Sequence, residues 1–263
     1  MSLFGVERRR RRLEGGAGRI FLLALDHGVA AGPVPGIERL SDRVRRLRSA
    51  PFSGLVVNPG MVRSLSADIA PAWGLIVHLS ASTLLGSRPG SKVLASTVEH
   101  AVSLGADAVS VQISFGDSRE DRMIADAGRV VSQATSLGLP VFLMAHAPSE
   151  PGESSEDPVA AAHAARAAAE LGASIVQTNF AGAPDGLREI AHSCPVPLVV
   201  GGGPKGSTED AYLDALREVM RSGAAGICVG RRVFQALDPP AMAQRIADVV
   251  FGSDRPVIIE AAR

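Results

Sequence analysis

The stretch that decides the fold is PLVVGGGPKG, residues 197–206, followed by a helical pattern over Thr208–Arg221 and then by GICVGRR, residues 226–232. Each short apolar run ends in glycine followed by a cation, Lys205 in the first and Arg231 in the second. Glycine lets backbone N–H groups come close to a ligand, and the start of a helix carries partial positive charge. A cation at the same place neutralises a phosphate dianion. In a (β/α)₈ barrel, the loops after the seventh and eighth strands form such a phosphate site. Gly202, Gly203, Lys205, Gly230 and Arg231 are therefore the candidate phosphate-binding residues. The alternative is a pair of ordinary tight turns, which also favour glycine.

The same alternation of short β-branched runs and longer amphipathic ones extends back to residue 20. Strands are expected at Ile20–Leu25, Leu55–Val57, Leu75–Leu79, Ala108–Ile113, Val141–Met144, Ser174–Val176, Leu198–Val200 and Ile227–Val229. Four of the helix-to-strand turns carry glycine at Gly105, Gly138, Gly172 and Gly223, the residue that supplies a left-handed helix cap. No break in composition divides the chain. A single α/β domain over residues 1–263, a TIM barrel with residues 1–18 as a short N-terminal helical extension, is expected in preference to a doubly wound sheet.

With 263 residues, 46% hydrophobic, the chain is long enough for one barrel core. Its 27 basic and 27 acidic residues cancel, which argues against nucleic acid or a membrane surface as partner. The basic run Arg8–Arg12 has no interleaved aromatic residue and reads as a solvated N-terminal helix rather than a polyanion site. No apolar run reaches membrane-spanning length and no signal peptide is evident, so a cytoplasmic location is expected. Cys194 and Cys228 lack ligand spacing and read as reduced core thiols. Lysine occurs only at Lys92 and Lys205.

A barrel carries its chemistry at the C-terminal ends of its strands. Those ends hold Asp26 and His27, Asn58, His78 and Ser80, Gln112 and Ser114, His146, and Gln177 and Asn179. Asp26, His146, Gln177 and Asn179 are the candidate catalytic residues. Bond making beside a carbonyl needs a proton acceptor, a donor to the developing oxyanion and a grip on a remote group. Asp26 could instead cap the segment after it, His146 could be a hydrogen-bonded wall residue, and His78 reads as a satisfied core histidine. The histidines lack metal-ligand spacing, and neither a metal nor another cofactor is expected.

Several runs together resemble a known family. They are Leu23-Ala24-Leu25-Asp26-His27-Gly28, Asn58-Pro59-Gly60, His78-Leu79-Ser80, the Leu104–Val109 core, Gly202-Gly203-Pro204-Lys205 and Gly226–Arg231. They resemble the archaeal-type class I fructose-bisphosphate aldolases and the 2-amino-3,7-dideoxy-heptulosonate synthases of the DeoC/LacD-like aldolase superfamily. The resemblance implies a (β/α)₈ barrel, a phosphorylated ketose or dihydroxyacetone phosphate-like substrate, and a homo-oligomer, commonly a decamer. It implies that Asp26 contacts substrate hydroxyls, and that Gly203, Lys205, Gly230 and Arg231 hold phosphate. Two positions depart from the pattern. Where these enzymes carry the Schiff-base lysine on the sixth strand, this chain has Gln177, and where they carry an acid/base tyrosine on the fifth, it has His146. An amide is not a nucleophilic amine.

The expected activity is therefore carbon–carbon cleavage or condensation without an imine. The alternatives are an imine that has moved to Lys205, an enediolate-type isomerase or lyase, and a non-catalytic phosphosugar-binding paralogue. Lys92 is expected at the wrong end of the barrel for a catalytic role.

Overall fold

Along each apolar run, side chains alternate between two buried environments, and a computed structural model of the protein shows both. Eight parallel strands close into a barrel, so one face of each strand looks inward and the other lies against helices. The structure describes residues 4–15, 18–147, 157–179, 184–203 and 206–252. The barrel strands are β1 (Ile20–Ala24), β2 (Gly54–Val57), β3 (Gly74–His78), β4 (Ala108–Ser114), β5 (Val141–His146), β6 (Ile175–Asn179), β7 (Leu198–Gly201) and β8 (Gly226–Val229). They follow one another in sequence around the barrel, and β1 pairs with β8 to close it.

All eight expected strands are present with bounds shifted by one to three residues. The inward layer consists of Ile20 and Leu22, Val56, Ile76, Ala108, Phe142 and Met144, Ile175, Val199 and Cys228. Continuing each strand by two residues brings the next inward side chain to the C-terminal mouth. That is how His146 follows Met144 and Gln177 follows Ile175.

Glycine serves two purposes in this frame. Gly105, Gly138, Gly172 and Gly223 all have positive φ, as expected of left-handed caps after helices. Gly226 answers a close approach at the seam, because a Cβ there would stand 1.9 Å from the Ile20 carbonyl oxygen.

The N-terminal segment closes the floor. Helix α1 (Phe4–Arg10) runs into a 3₁₀ turn, Arg11–Leu13, whose Leu13 is fully buried and joins the inward layer. The basic run has structural work to do. Arg9 donates to the Gly138 carbonyl at 2.7 Å, Arg10 pairs with Glu7 and Glu14, and Arg12 pairs with Asp107 at 2.8 Å.

The order of the outer helices matches the βα repeat, with additions at the mouth. A one-turn helix, α2 (His27–Ala31), follows β1 directly, and another, Arg231–Phe234, follows β8. Beyond β3 the chain forms an antiparallel pair, Ser80–Ala81 with Val93–Leu94, before the helix Val98–Ser103.

Candidate active site

The mouth gathers the C-terminal ends of the eight strands around a set of polar side chains. His146, the last residue of β5, pairs in register with Ser114 of β4, and Met144 pairs with Gln177 of β6. The Gln112 side-chain nitrogen lies 3.1 Å from His146 Nδ1. As oriented, that amide donates to Nδ1, which leaves the proton of a neutral imidazole on Nε2. Burial pushes the His146 pKa down to about 4, and the charge of Lys92 pushes the same way, against a weaker opposite pull from Asp26. At neutral pH His146 is therefore uncharged, a hydrogen-bond donor through Nε2.

Gln177 is buried, and its Oε1 has no hydrogen-bond partner among the described residues. Its amide lies over β7, where a Cβ on Gly201 would stand 2.6 Å from Nε2. Glycine at that position makes the space for the Gln177 side chain. Asn179 ends β6 opposite Gly201, half-buried at the rim. His78 is buried, with Nδ1 2.8 Å from Ser110 Oγ and Nε2 3.4 Å from Ser80 Oγ, which fits a satisfied histidine.

Asp26 follows β1 and precedes α2 without capping it by its side chain. Its backbone is held instead, since Asn58 Nδ2 donates to the Asp26 carbonyl at 2.9 Å. The carboxylate stands 3.8 Å from His27 Nδ1, and its charge also reaches His78, Lys92 and His146. His27 stands edge-on to Phe234, and burial lowers its pKa, with Asp26 opposing and Arg231 adding to the fall.

The two glycine loops sit side by side beyond β7 and β8. Gly202 and Gly203 have φ of 80° and 136°, open to glycine and strained for other residues. Tyr212 packs against Gly203 and donates its hydroxyl to the Gly202 carbonyl at 3.1 Å. A Cβ at Gly230 would stand 2.5 Å from His27 Cε1 and 2.7 Å from the Ala24 carbonyl, so glycine lets this loop close on β1. Arg231 is exposed, and its charge is felt at His27. Pro204 and Lys205 lie outside the described residues, as do residues 148–156.

One expectation is overturned. Lys92 lies at the mouth, not at the opposite end. The Ser80–Ala81/Val93–Leu94 pair folds the chain back over the end of β3, with Ala95 N–H donating to the Leu79 carbonyl. Ser114 Oγ holds the Gly90 carbonyl at 2.8 Å and Ser91 Oγ holds Asp117 at 2.6 Å, pinning the loop to β4. Lys92 Nζ then donates to Ser82 Oγ at 2.7 Å. Burial lowers the Lys92 pKa, with Asp26 opposing.

The chain matches known proteins along most of its length. A family model described as DeoC/LacD family aldolase matches residues 20–236. The chain belongs to the DeoC/LacD family of aldolases. It is 38% identical over 235 residues to the 2-amino-4,5-dihydroxy-6-oxo-7-(phosphonooxy)heptanoate synthase of Streptomyces griseus, covering 89% of this chain and 86% of that one. It is 35% identical over 233 residues to the 2-amino-3,7-dideoxy-D-threo-hept-6-ulosonate synthase of Halobacterium salinarum, covering 88% and 86%. Among solved structures, an archaeal fructose-1,6-bisphosphate aldolase with its catalytic lysine bound to a carbinolamine intermediate superposes with a TM-score of 0.85. The two are 30% identical over 93% of this chain and 99% of that one.

Proposed function

We propose that this protein makes or breaks a carbon–carbon bond beside the carbonyl of a phosphorylated ketose or dihydroxyacetone phosphate-like substrate, with no imine on β6. The observation that carries this reading is Gln177, whose amide is buried at the mouth, its oxygen without a hydrogen-bond partner among the described residues, and which has no amine to offer. Family membership supports the reaction class. The phosphorylated keto compound named for the Streptomyces griseus relative supports the substrate class.

In this reading Asp26 takes the proton from the carbon beside the carbonyl, or returns it. Gln177 and Asn179 hold the carbonyl, and the His146 Nε2–H donates to the oxygen as negative charge develops there. Gly202, Gly203, Lys205, Gly230 and Arg231 hold the remote phosphate and fix the register of the reacting carbon. A homo-oligomer in the cytoplasm belongs to the same proposal. It rests on the family resemblance, with the two buried thiols, Cys194 and Cys228, in keeping with a reducing compartment.

The test combines aldol cleavage and condensation assays on sugar phosphates with borohydride treatment in the presence of dihydroxyacetone phosphate. Turnover that survives the treatment, with an unchanged intact mass, is the expected result. Inactivation with a mass gain of one reduced adduct would overturn the imine-free reading. Light scattering at micromolar concentration tests the assembly, and a monomer mass would remove it.

A further inference from the structure

We propose that Lys92, carried on the fold-back hairpin and tethered by Ser82, is a catalytic cation of this mouth, its ammonium set against the oxyanion that forms at the substrate carbonyl. The inference deepens the proposed aldol reading, and rests on it only in requiring a carbonyl substrate that enolises.

The geometry starts with Ser82. Its hydroxyl proton is committed to the Pro89 carbonyl, 2.6 Å away, so toward Lys92 it can only accept. One N–H of Lys92 is therefore fixed on Ser82, and an ammonium has two more to offer. The hairpin that carries the lysine is anchored at both sides of the mouth. Leu84 N–H donates to the Ala30 carbonyl beyond β1, and Ser91 and Gly90 are held by Asp117 beyond β4 and by Ser114 at its end. The groups facing Lys92 are Asp26 from β1, His78 from β3 and His146 from β5, each within reach of its charge or it of theirs.

The chemistry requires such a group. With Gln177 in place of an amine, no iminium is available as an electron sink on β6. His146 is neutral, so it brings a hydrogen bond but no charge. When Asp26 removes the proton beside the carbonyl, the C–H pair becomes the carbon–carbon double bond of the enolate. The carbonyl π pair moves to oxygen, and the proton stays on the carboxyl. The negative charge on oxygen then needs a fixed positive partner in a site shielded from water. Lys92 supplies it, and the same charge adds to the burial that holds His146 in its uncharged, donating form. Loss of the lysine proton sets an alkaline limit below the ordinary lysine value, because burial lowers its pKa.

The test measures exchange of the carbon-bound protons of dihydroxyacetone phosphate in D₂O, a half-reaction that needs no aldehyde partner. Lys92→Met should slow exchange about 10²–10³-fold, the usual effect of removing one oxyanion-stabilising group. Lys92→Arg, which keeps the charge and cannot form an imine, should retain more rate than Lys92→Met and move the alkaline fall to higher pH. In the ligand-free protein, NMR of labelled histidine should show the His146 pKa rising in Lys92→Met, a readout independent of turnover. Unchanged exchange in Lys92→Met, an unmoved His146 titration in that variant, or a borohydride-reduced adduct mapped to Lys92 would each overturn the proposal. So would the absence of exchange in the wild-type protein. Exchange without any aldol product would instead sink the proposed reaction class and leave the role of Lys92 standing.

Discussion

At the floor of the barrel, polar atoms are paired off one by one. Ser53 Oγ accepts from Phe21 N–H and donates to its carbonyl, Arg19 donates to the Ala224 carbonyl, and Asp107 takes both Arg12 and the Leu75 N–H. At the mouth, His27 Nδ1 and Gln177 Oε1 are buried without hydrogen-bond partners among the described residues, with Asp26 Oδ1 3.8 Å from His27 Nδ1. The mouth also holds histidines and a lysine whose pKa values are all pushed down. An unpaired buried polar atom costs about 1–3 kcal/mol. The floor avoids that cost, and the mouth carries it where a substrate can make the missing bonds. Stability and chemistry thus occupy opposite ends of one set of strands.

Substitutions at the two ends should have opposite signatures. The largest effect is expected at the mouth. His146→Ala should reduce turnover about 10²–10³-fold, the usual effect of removing one hydrogen-bond donor to an oxyanion, with the melting temperature little changed. Steady-state kinetics beside a thermal melt checks it, and a loss of fold with normal specific activity would reverse the assignment.

At the floor, Leu13→Ala should cost about 2–5 kcal/mol of stability, as expected for a fully buried leucine. Urea unfolding measures this, while activity per folded molecule should stay constant. A smaller effect is expected at the rim of the mouth, where Arg231→Ala should weaken binding of a phosphorylated ligand by about 2–3 kcal/mol, the range for hydrogen bonds to a charged group. Calorimetry with an intact fold and unchanged affinity would remove Arg231 from the phosphate site.

The gentlest test is pH. His146 is neutral in the fold with its pKa lowered to about 4, whereas an unfolded histidine titrates near 6.5. Between those values the unfolded chain binds more protons, so stability should fall as pH is lowered through that window. His27 and His78 are shifted the same way. Urea midpoints from pH 7 to pH 4.5 should show the slope, and His146→Ala should flatten it.

Much of this division was visible in the sequence because strands have a period of two. Once Phe142 and Met144 are taken as inward, His146 must be inward too, and Ile175 fixes Gln177 in the same way. Glycines past helix ends marked the turns for an equally local reason. Lys92 was not legible. Its place depends on two short paired segments, Ser80–Ala81 and Val93–Leu94, and on side-chain clasps from Ser114 and Asp117, contacts that leave no periodic trace. The one-turn helices at His27–Ala31 and Arg231–Phe234 escaped for a similar reason, being too short to show a helical repeat. The floor role of Leu13 was also hidden, since one apolar residue after an arginine run has no pattern of its own.

The seam between β1 and β8 has a consequence for how the molecule comes into being. Ile20 pairs with Gly226, so the first barrel strand waits for its last neighbour until the chain has been made through β8. Until then both β1 and the growing end of the sheet present open edges, the kind of surface that pairs with other chains. Pairing across so long a stretch of sequence is slow, because the entropy of closing the loop is lost before the contacts that reward it form. Joining β1 to β8 is thus what turns an open, adhesive sheet into a closed, edgeless barrel.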